Sequence, residues 1–185
     1  MSIDNTTGGL YRRLAATFTE RVRAVPASGW ESQSPCVGWT ARDVLAHVVD
    51  TQNSVLRKVG IQVAAGPTVE TAPLAAWEHT RDAVQDVLDD PMRANRAHDT
   101  PFGRSTLAAT IGAFYCFDLV VHAWDIAKAT GGNTTIPPEN LEMVAGFMER
   151  MGDTLYSEGV CQPPVPVVGE VNEQTRILAL LGRTA

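Results

Sequence analysis

Two carboxylates and one imidazole lie close together in the apolar stretch FDLVVHAWDIAKATGG, residues 117–132. Asp118 and His122 are four residues apart, so on a helix both side chains project from one face and address a single point. A carboxylate on a buried face loses its water, and it must find a cation, a strong donor or a metal because an unpaired buried charge is costly. The spacing is therefore that of a candidate metal site, although a hydrogen-bonded pair in the core gives the same pattern.

A third candidate ligand comes from an earlier part of the chain. His47 lies beside Val44, Val48 and Thr51 on the inward face of a predicted helix. If that helix neighbours the one carrying Asp118 and His122, two imidazoles and one carboxylate can bind a divalent transition metal and leave positions open for water or substrate. Taken alone, His47 is more typical of a hydrogen-bonded histidine at the edge of a core than of a ligand.

The remaining candidates have weaker patterns. Asp125 follows His122 by three residues, so it either orients a ligating imidazole as a hydrogen-bond acceptor or caps a neighbouring backbone group. Cys116 is rotated away from Asp118 on the same helix and is interpreted as a buried, inert thiol. His79 and His98 are interpreted as structural.

Apolar residues recur every three to four positions along most of the chain, and no convincing strand alternation is found. The predicted helices begin after the Gly8–Gly9 pair, after Thr40, near Leu74, after Ser105 and after Pro138. Thr40 and Asp43 have the spacing of a capping box, and Gly131–Gly132 is a strong helix stop. The residues from Met92 to Arg104 are predicted to form a loop, and EQTRILALLGR a short helix that docks on the rest.

These elements predict an all-α fold, a four-helix bundle with additional short helices and a proline-rich C-terminal tail. A length of 185 residues favours one domain spanning residues 1–185. Metal sites in bundles are built from side chains on facing helices, which agrees with the candidate ligands above.

Composition narrows the class of partner. The net charge of −6 argues against nucleic acid, which requires clustered Lys and Arg. No apolar run of about 20 residues is evident, and the N-terminus lacks the features of a signal peptide, so we expect no membrane association and a cytoplasmic location. The three cysteines show no disulfide or zinc-finger spacing. The apolar run from Val165 to Val168 could cover the bundle or the partner in a homodimer.

Two signatures, SPCVGWTARDVLAHVVDTQ and VVHAWDIAKATGG, together with the closing RILALLGR, resemble actinobacterial members of the DinB-like superfamily. The chain is similar, from about Leu10 to Arg183, to the metal-binding N-terminal domain of mycothiol-dependent maleylpyruvate isomerases. The resemblance implies a four-helix bundle with a divalent metal held by His47, Asp118 and His122. Asp125 would contact a ligand and not the metal itself. The isomerases have glutamate, and many other DinB-like proteins histidine, at the position of Asp118, so the shorter side chain should draw the metal toward its own helix or bind it through water.

The resemblance also implies a chemistry, in which a divalent ion activates a thiol or a water as a Lewis acid. We expect zinc first, with nickel, iron or manganese as alternatives, and a low-molecular-weight thiol such as mycothiol as cofactor. The first hypothesis is therefore a metal-dependent thiol transferase or isomerase acting on a small molecule, with Trp39, Arg42, Arg104 and Tyr115 as candidate pocket residues. The second is a non-catalytic metal-binding or regulatory module, and the third a non-haem iron oxygenase, because its ligand types match.

Overall fold

Four long helices form the body of the molecule. The computed structural model describes residues 6–157 and 160–184. The expectation of no signal peptide rests partly on residues 1–5, which lie outside the described residues. Helices α1 (Thr7–Ala24) and α2 (Ala41–Lys58) each contact α3 (Pro73–Leu88) and α6 (Cys116–Thr130), so the four close into a ring around a shared core. The predicted all-α four-helix bundle is confirmed.

The start of α2 is fixed by the predicted capping box. The Thr40 hydroxyl accepts a hydrogen bond from Asp43 N at 3.2 Å, and the Asp43 carboxylate accepts from Thr40 N at 2.8 Å. Two backbone donors that the first turn leaves unpaired are thereby satisfied. Because this cap sets where the helix begins, it also sets the rotational position of His47 two turns later.

The long helix that carries Asp118 and His122 is not a regular α-helix throughout. It comprises α5 (Leu107–Thr110), a π-helical turn at Ile111–Tyr115, and α6, which ends at Gly131 with φ of 70°. Its N-cap is Thr106, whose hydroxyl accepts from Ala109 N, and the prediction of Ser105 at this position was wrong. The wider π turn changes the rotational phase of the helix immediately before Asp118, a feature often found at functional sites.

A β-hairpin replaces the predicted loop. Strands β1 (Ala97–Thr100) and β2 (Gly103–Thr106) pair antiparallel, with His98 opposite Ser105, and the short helix α4 (Pro91–Ala94) precedes them. The strands AHDT and GRST contain neither apolar alternation nor a run of β-branched residues, so the sequence carries no strand signal. The hairpin leads directly into the long helix.

The chain returns to the bundle at its end. Helix α7 (Pro138–Met151) packs on α6, a 3-10 turn follows at Gly152–Tyr156, and α8 (Glu173–Leu180) packs on α7. The two ends of the apolar run Val165–Val168 have different surroundings. Val165 N donates to Ala179 O, whereas Val168 is 93% exposed. Leu181 and Arg183 are buried, so both side chains form part of the interior.

Within the described residues, Leu107–Thr130 is the one helix long and apolar enough to cross a bilayer by length and composition. The prediction that no such run exists was therefore wrong for this segment. In this structure 61% of its most apolar window is buried inside the molecule. The central helix of a bundle has this composition because neighbouring helices cover several of its faces.

Candidate metal site and cavity

The three predicted ligands meet where α2 and α6 are adjacent. Their candidate donor atoms all lie within 4.8 Å of one another. His47 Nε2 is 3.8 Å from Asp118 Oδ2, and the His47 and His122 rings have centroids 5.1 Å apart. We refer to His47, Asp118 and His122 as the triad.

The triad fits a divalent transition metal. An ion about 2.0–2.2 Å from each imidazole nitrogen and carboxylate oxygen requires donor atoms roughly 3–4 Å apart, and the 3.8 Å between His47 and Asp118 lies in that range. Asp118 therefore lies close enough to His47 for the two to share an ion, despite being shorter than glutamate. Two neutral nitrogens and one anionic oxygen form a donor set suited to zinc, iron, nickel or manganese.

His122 is held in place by a buried carboxylate. His122 Nδ1 lies 2.9 Å from Asp125 Oδ2, so its Nε2 is the nitrogen available to a ligand. Asp125 is fully buried, and it accepts further bonds from Arg183 Nη2 at 2.9 Å and Arg183 Nε at 3.2 Å. This contact is the orienting one of the two predicted alternatives, and ligating histidines are typically fixed in this way.

Charge pairing keeps Asp125 ionised. Burial alone would raise its pKa, but the hydrogen bond from His122 and the positive charge of Arg183 outweigh burial and lower the pKa to about 2. For Arg183, burial opposes the charged form, and Asp125 nevertheless raises the pKa above its usual value. Arg183 Nη1 also donates to Leu181 O at 2.7 Å, so the guanidinium is fixed from two directions.

The thiols near the site are protonated. Cys36 Sγ donates to Asp125 Oδ2 at 3.3 Å, and burial together with that carboxylate raises the pKa of Cys36 to about 12. Burial likewise raises the pKa of Cys161, and that of the fully buried Cys116 to about 12. Thiolates are the reactive form of cysteine, so none of these three thiols is poised as a nucleophile. Cys36, His122 and Asp125 also have donor atoms within 4.8 Å of one another, but Arg183 occupies this carboxylate.

The triad opens into a cavity of about 460 Å³. This volume lies within the usual range for sites that bind small molecules. Two of the four candidate pocket residues line it: Trp39, whose ring centroid is 5.1 Å from that of His47, and Tyr115, whose pKa is raised to about 12 by burial and by Asp118. Arg42 instead pairs with Glu31 at 2.9 Å, and Arg104 is an exposed residue of β2, so neither belongs to the lining.

Comparison with known proteins identifies a family. The family model of the mycothiol maleylpyruvate isomerase N-terminal domain matches residues 11–127, more than half of the chain. The chain belongs to this family. Two uncharacterized proteins of Mycobacterium tuberculosis, MT0763 of strain CDC 1551 and Rv0738 of strain H37Rv, are each 26% identical over 178 residues, covering 94% of this chain and 96% of the relative.

Solved structures show the same fold. The crystal structure of the mycothiol-dependent maleylpyruvate isomerase superposes with a TM-score of 0.56 at 17% identity, covering 83% of this chain and 71% of that chain. A histidine-to-alanine mutant of that enzyme gives a TM-score of 0.55 with the same coverage. The triad and Asp125 all lie inside the segment matched by the mycothiol maleylpyruvate isomerase family model, whereas Arg183 lies beyond it.

Sequence reasoning missed two groups at the site. Arg183 closes the RILALLGR signature, but it is 58 residues from Asp125, and no local pattern links them. His98, interpreted as structural, lines the cavity from β1 and has its Nε2 atom 2.9 Å from Thr110 Oγ1. His79 does take the structural role that was predicted, with its Nε2 atom 2.9 Å from Ala64 O.

Proposed function

We propose that this protein is a metal-dependent thiol transferase or isomerase that uses a small thiol of the mycothiol type. His47, Asp118 and His122 hold one divalent transition metal, with zinc the first expectation and nickel, iron or manganese the alternatives. The observation that carries the proposal is that these three donors converge at the wall of an open cavity of about 460 Å³.

The chain's own thiols support an external thiol as nucleophile. Cys36 is buried against Asp125 with its pKa raised to about 12, so its sulfur is a hydrogen-bond donor and not a thiolate. The family relationship supports mycothiol as the external thiol, because both solved relatives are mycothiol-dependent isomerases by name. The cavity then has room for the reacting part of that thiol and a second small molecule.

Each side chain at the site has a distinct part in this function. Asp125, itself held by Arg183, keeps the proton of His122 on Nδ1 and so presents Nε2 to the ligand position. A divalent ion bound by the triad supplies a Lewis acid that lowers the pKa of a thiol or water. The Tyr115 hydroxyl is protonated at neutral pH, as that of an ordinary tyrosine also is, and burial and Asp118 raise its pKa further, to about 12; it lines the cavity as a donor for a substrate oxygen.

The cavity favours catalysis over the second hypothesis, a non-catalytic binding module. A binding module predicts a closed or apolar surround, whereas His98, Thr51 and Tyr115 place polar groups in the lining. The iron oxygenase is separated from both by its need for oxygen. It predicts oxygen-dependent turnover after iron is bound without air, and the proposed thiol transfer proceeds equally well without oxygen.

The test joins metal content with thiol transfer. Elemental analysis of protein purified without added metal is expected to show about one divalent ion per chain, which His47→Ala and His122→Ala both lose. The matched control is His79→Ala, and this variant should retain the ion. His79 lies outside the cavity, where it is hydrogen-bonded to Ala64 O. Consumption of mycothiol with an electrophile should follow metal content across the four proteins. Full metal in either triad variant, or turnover that survives complete metal removal, would contradict the proposal.

A further inference from the structure

One wall of the cavity is aromatic. Phe102 at the tip of the hairpin stacks on Phe114 of the π turn with ring centroids 5.5 Å apart. Phe114 meets Phe147 edge to face at 5.6 Å, and Phe117 stacks on Phe147 at 4.1 Å. All four rings line the cavity, and we call them the aromatic wall.

The wall has apolar surface still open to solvent. Phe102 is 57% exposed although it is stacked on one face and lines the cavity. An apolar molecule lying against Phe102 would remove this surface from water, and ring-to-ring contact adds to that gain when the geometry is offset or edge-on. The wall is therefore suited to a ligand that carries a ring.

The charges of the cavity argue against an anionic ligand. Among the described residues that line it, Lys58 and Arg183 are basic, whereas Asp99 and Asp118 are acidic. Arg183 is engaged by Asp125 and Leu181 O, and Lys58 is exposed at the end of α2. Lys58 and Asp99 offset each other in charge, and a divalent ion at the triad would be balanced by Asp118 together with the thiolate of the proposed function, so no surplus positive charge remains for a dicarboxylate.

Resting on the proposed function, we propose that the cavity binds a neutral electrophile bearing an aromatic ring as its second substrate. This class differs from maleylpyruvate, the dicarboxylate in the family's name. The ring lies on the aromatic wall, and the electrophilic carbon faces the triad. In the simplest step, the thiolate sulfur forms a bond to one carbon of an activated double bond. The displaced π pair then accepts, at the neighbouring carbon, the proton that the thiol released, so atoms and electrons balance without an oxidant.

The test uses two unreactive ligands with one carbon skeleton. Dimethyl phenylsuccinate is neutral, phenylsuccinate is a dianion, and neither contains a double bond for the thiol to attack. NMR titration of the purified full chain gives both dissociation constants, and the ester is expected to bind at least about tenfold more tightly. Phe102→Ala should weaken the ester about threefold to tenfold, as expected for loss of one ring contact. Met92→Ala is the matched control, because Met92 is 86% exposed and does not line the cavity, and it should leave the constant unchanged.

Two results would overturn the inference. Equal or tighter binding of the dianion would contradict the neutral ligand class, and unchanged ester binding in Phe102→Ala would contradict the aromatic wall as the contact surface. Neither result bears on metal content, so the proposed function can stand when this inference fails. Conversely, the purified protein could contain no metal and still bind the ester in a way that depends on Phe102. That result would support the aromatic binding site and contradict the proposed function.

Discussion

At the scale of single residues, Asp125 and Arg183 are as important to the candidate site as the three donors. An arginine and an aspartate, 7% and 0% exposed, would each be costly to bury alone, and together they satisfy each other with two hydrogen bonds. His122 donates to the same carboxylate, so its orientation depends on a residue from the end of the chain. Replacement of Asp125, Arg183 or His122 should therefore change the geometry of the ligand position.

The first prediction concerns this network. Arg183→Ala leaves Asp125 with less support, so His122 is less firmly oriented, and the metal dissociation constant should rise about 10–100-fold. Arg183→Lys retains the positive charge but lacks the two guanidinium nitrogens that bind Asp125 together. The metal dissociation constant should therefore rise less than in Arg183→Ala. Competition titration against a chromophoric chelator measures the constants, and circular dichroism shows that the proteins are folded.

The control for this prediction is Arg12→Ala. Arg12 pairs with Asp89 at 2.8 Å, but their side chains are 53% and 52% exposed, so removal of this pair should cost less than about 1 kcal/mol and leave metal affinity unchanged. Equal metal affinity in Arg183→Ala and the unmodified protein would show that Arg183 does not position the site.

At the scale of elements, the cap of α2 determines where His47 points. The second prediction is that Thr40→Ala lowers the free energy of unfolding by about 1 kcal/mol, because the first turn loses its side-chain acceptor. Hydrogen bonds from Thr40 hold the pKa of Asp43 below its usual value. The stability that this carboxylate contributes is therefore present above about pH 4, the unfolded-state value, and is lost as the pH falls through the lower folded-state pKa.

Urea unfolding at two pH values measures this contribution. Asp43→Asn should be less stable than the unmodified protein at pH 7, and the difference should shrink as the pH falls through the lowered folded-state pKa of Asp43, below which both side chains are uncharged. Asp50→Asn, at an exposed position on the same helix, is the control and should show no such trend. A gap of constant size across this range would contradict the capping account.

The elements that could be predicted from sequence are those with a repeating apolar pattern or a cap. The helices from Thr7, Ala41, Pro73 and Pro138 carry such signals, and so does the stop at Gly131. The hairpin could not be predicted because its four-residue strands are polar and have little of their surface in the core. The π turn differs from an α-helix by one residue in hydrogen-bond spacing, and apolar periodicity does not resolve that difference.

At the scale of the whole molecule, the candidate site depends on contacts between distant parts of the chain. The helical spacing of Asp118 and His122 is local and could be predicted, whereas their meeting with His47 required the family resemblance. Arg183 reaches Cys36 across 147 residues of sequence, and such a contact leaves no periodic trace. The single domain, the cytoplasmic location, the homodimer and the absence of nucleic-acid and membrane partners stay predictions.

The most direct measurement of the central claim is anomalous X-ray diffraction from crystals grown with zinc. We predict one strong anomalous peak, about 2.0–2.2 Å from a nitrogen of His47, a nitrogen of His122 and an oxygen of Asp118. A peak held instead by Cys36, His122 and Asp125, or no peak at either cluster, would contradict the account.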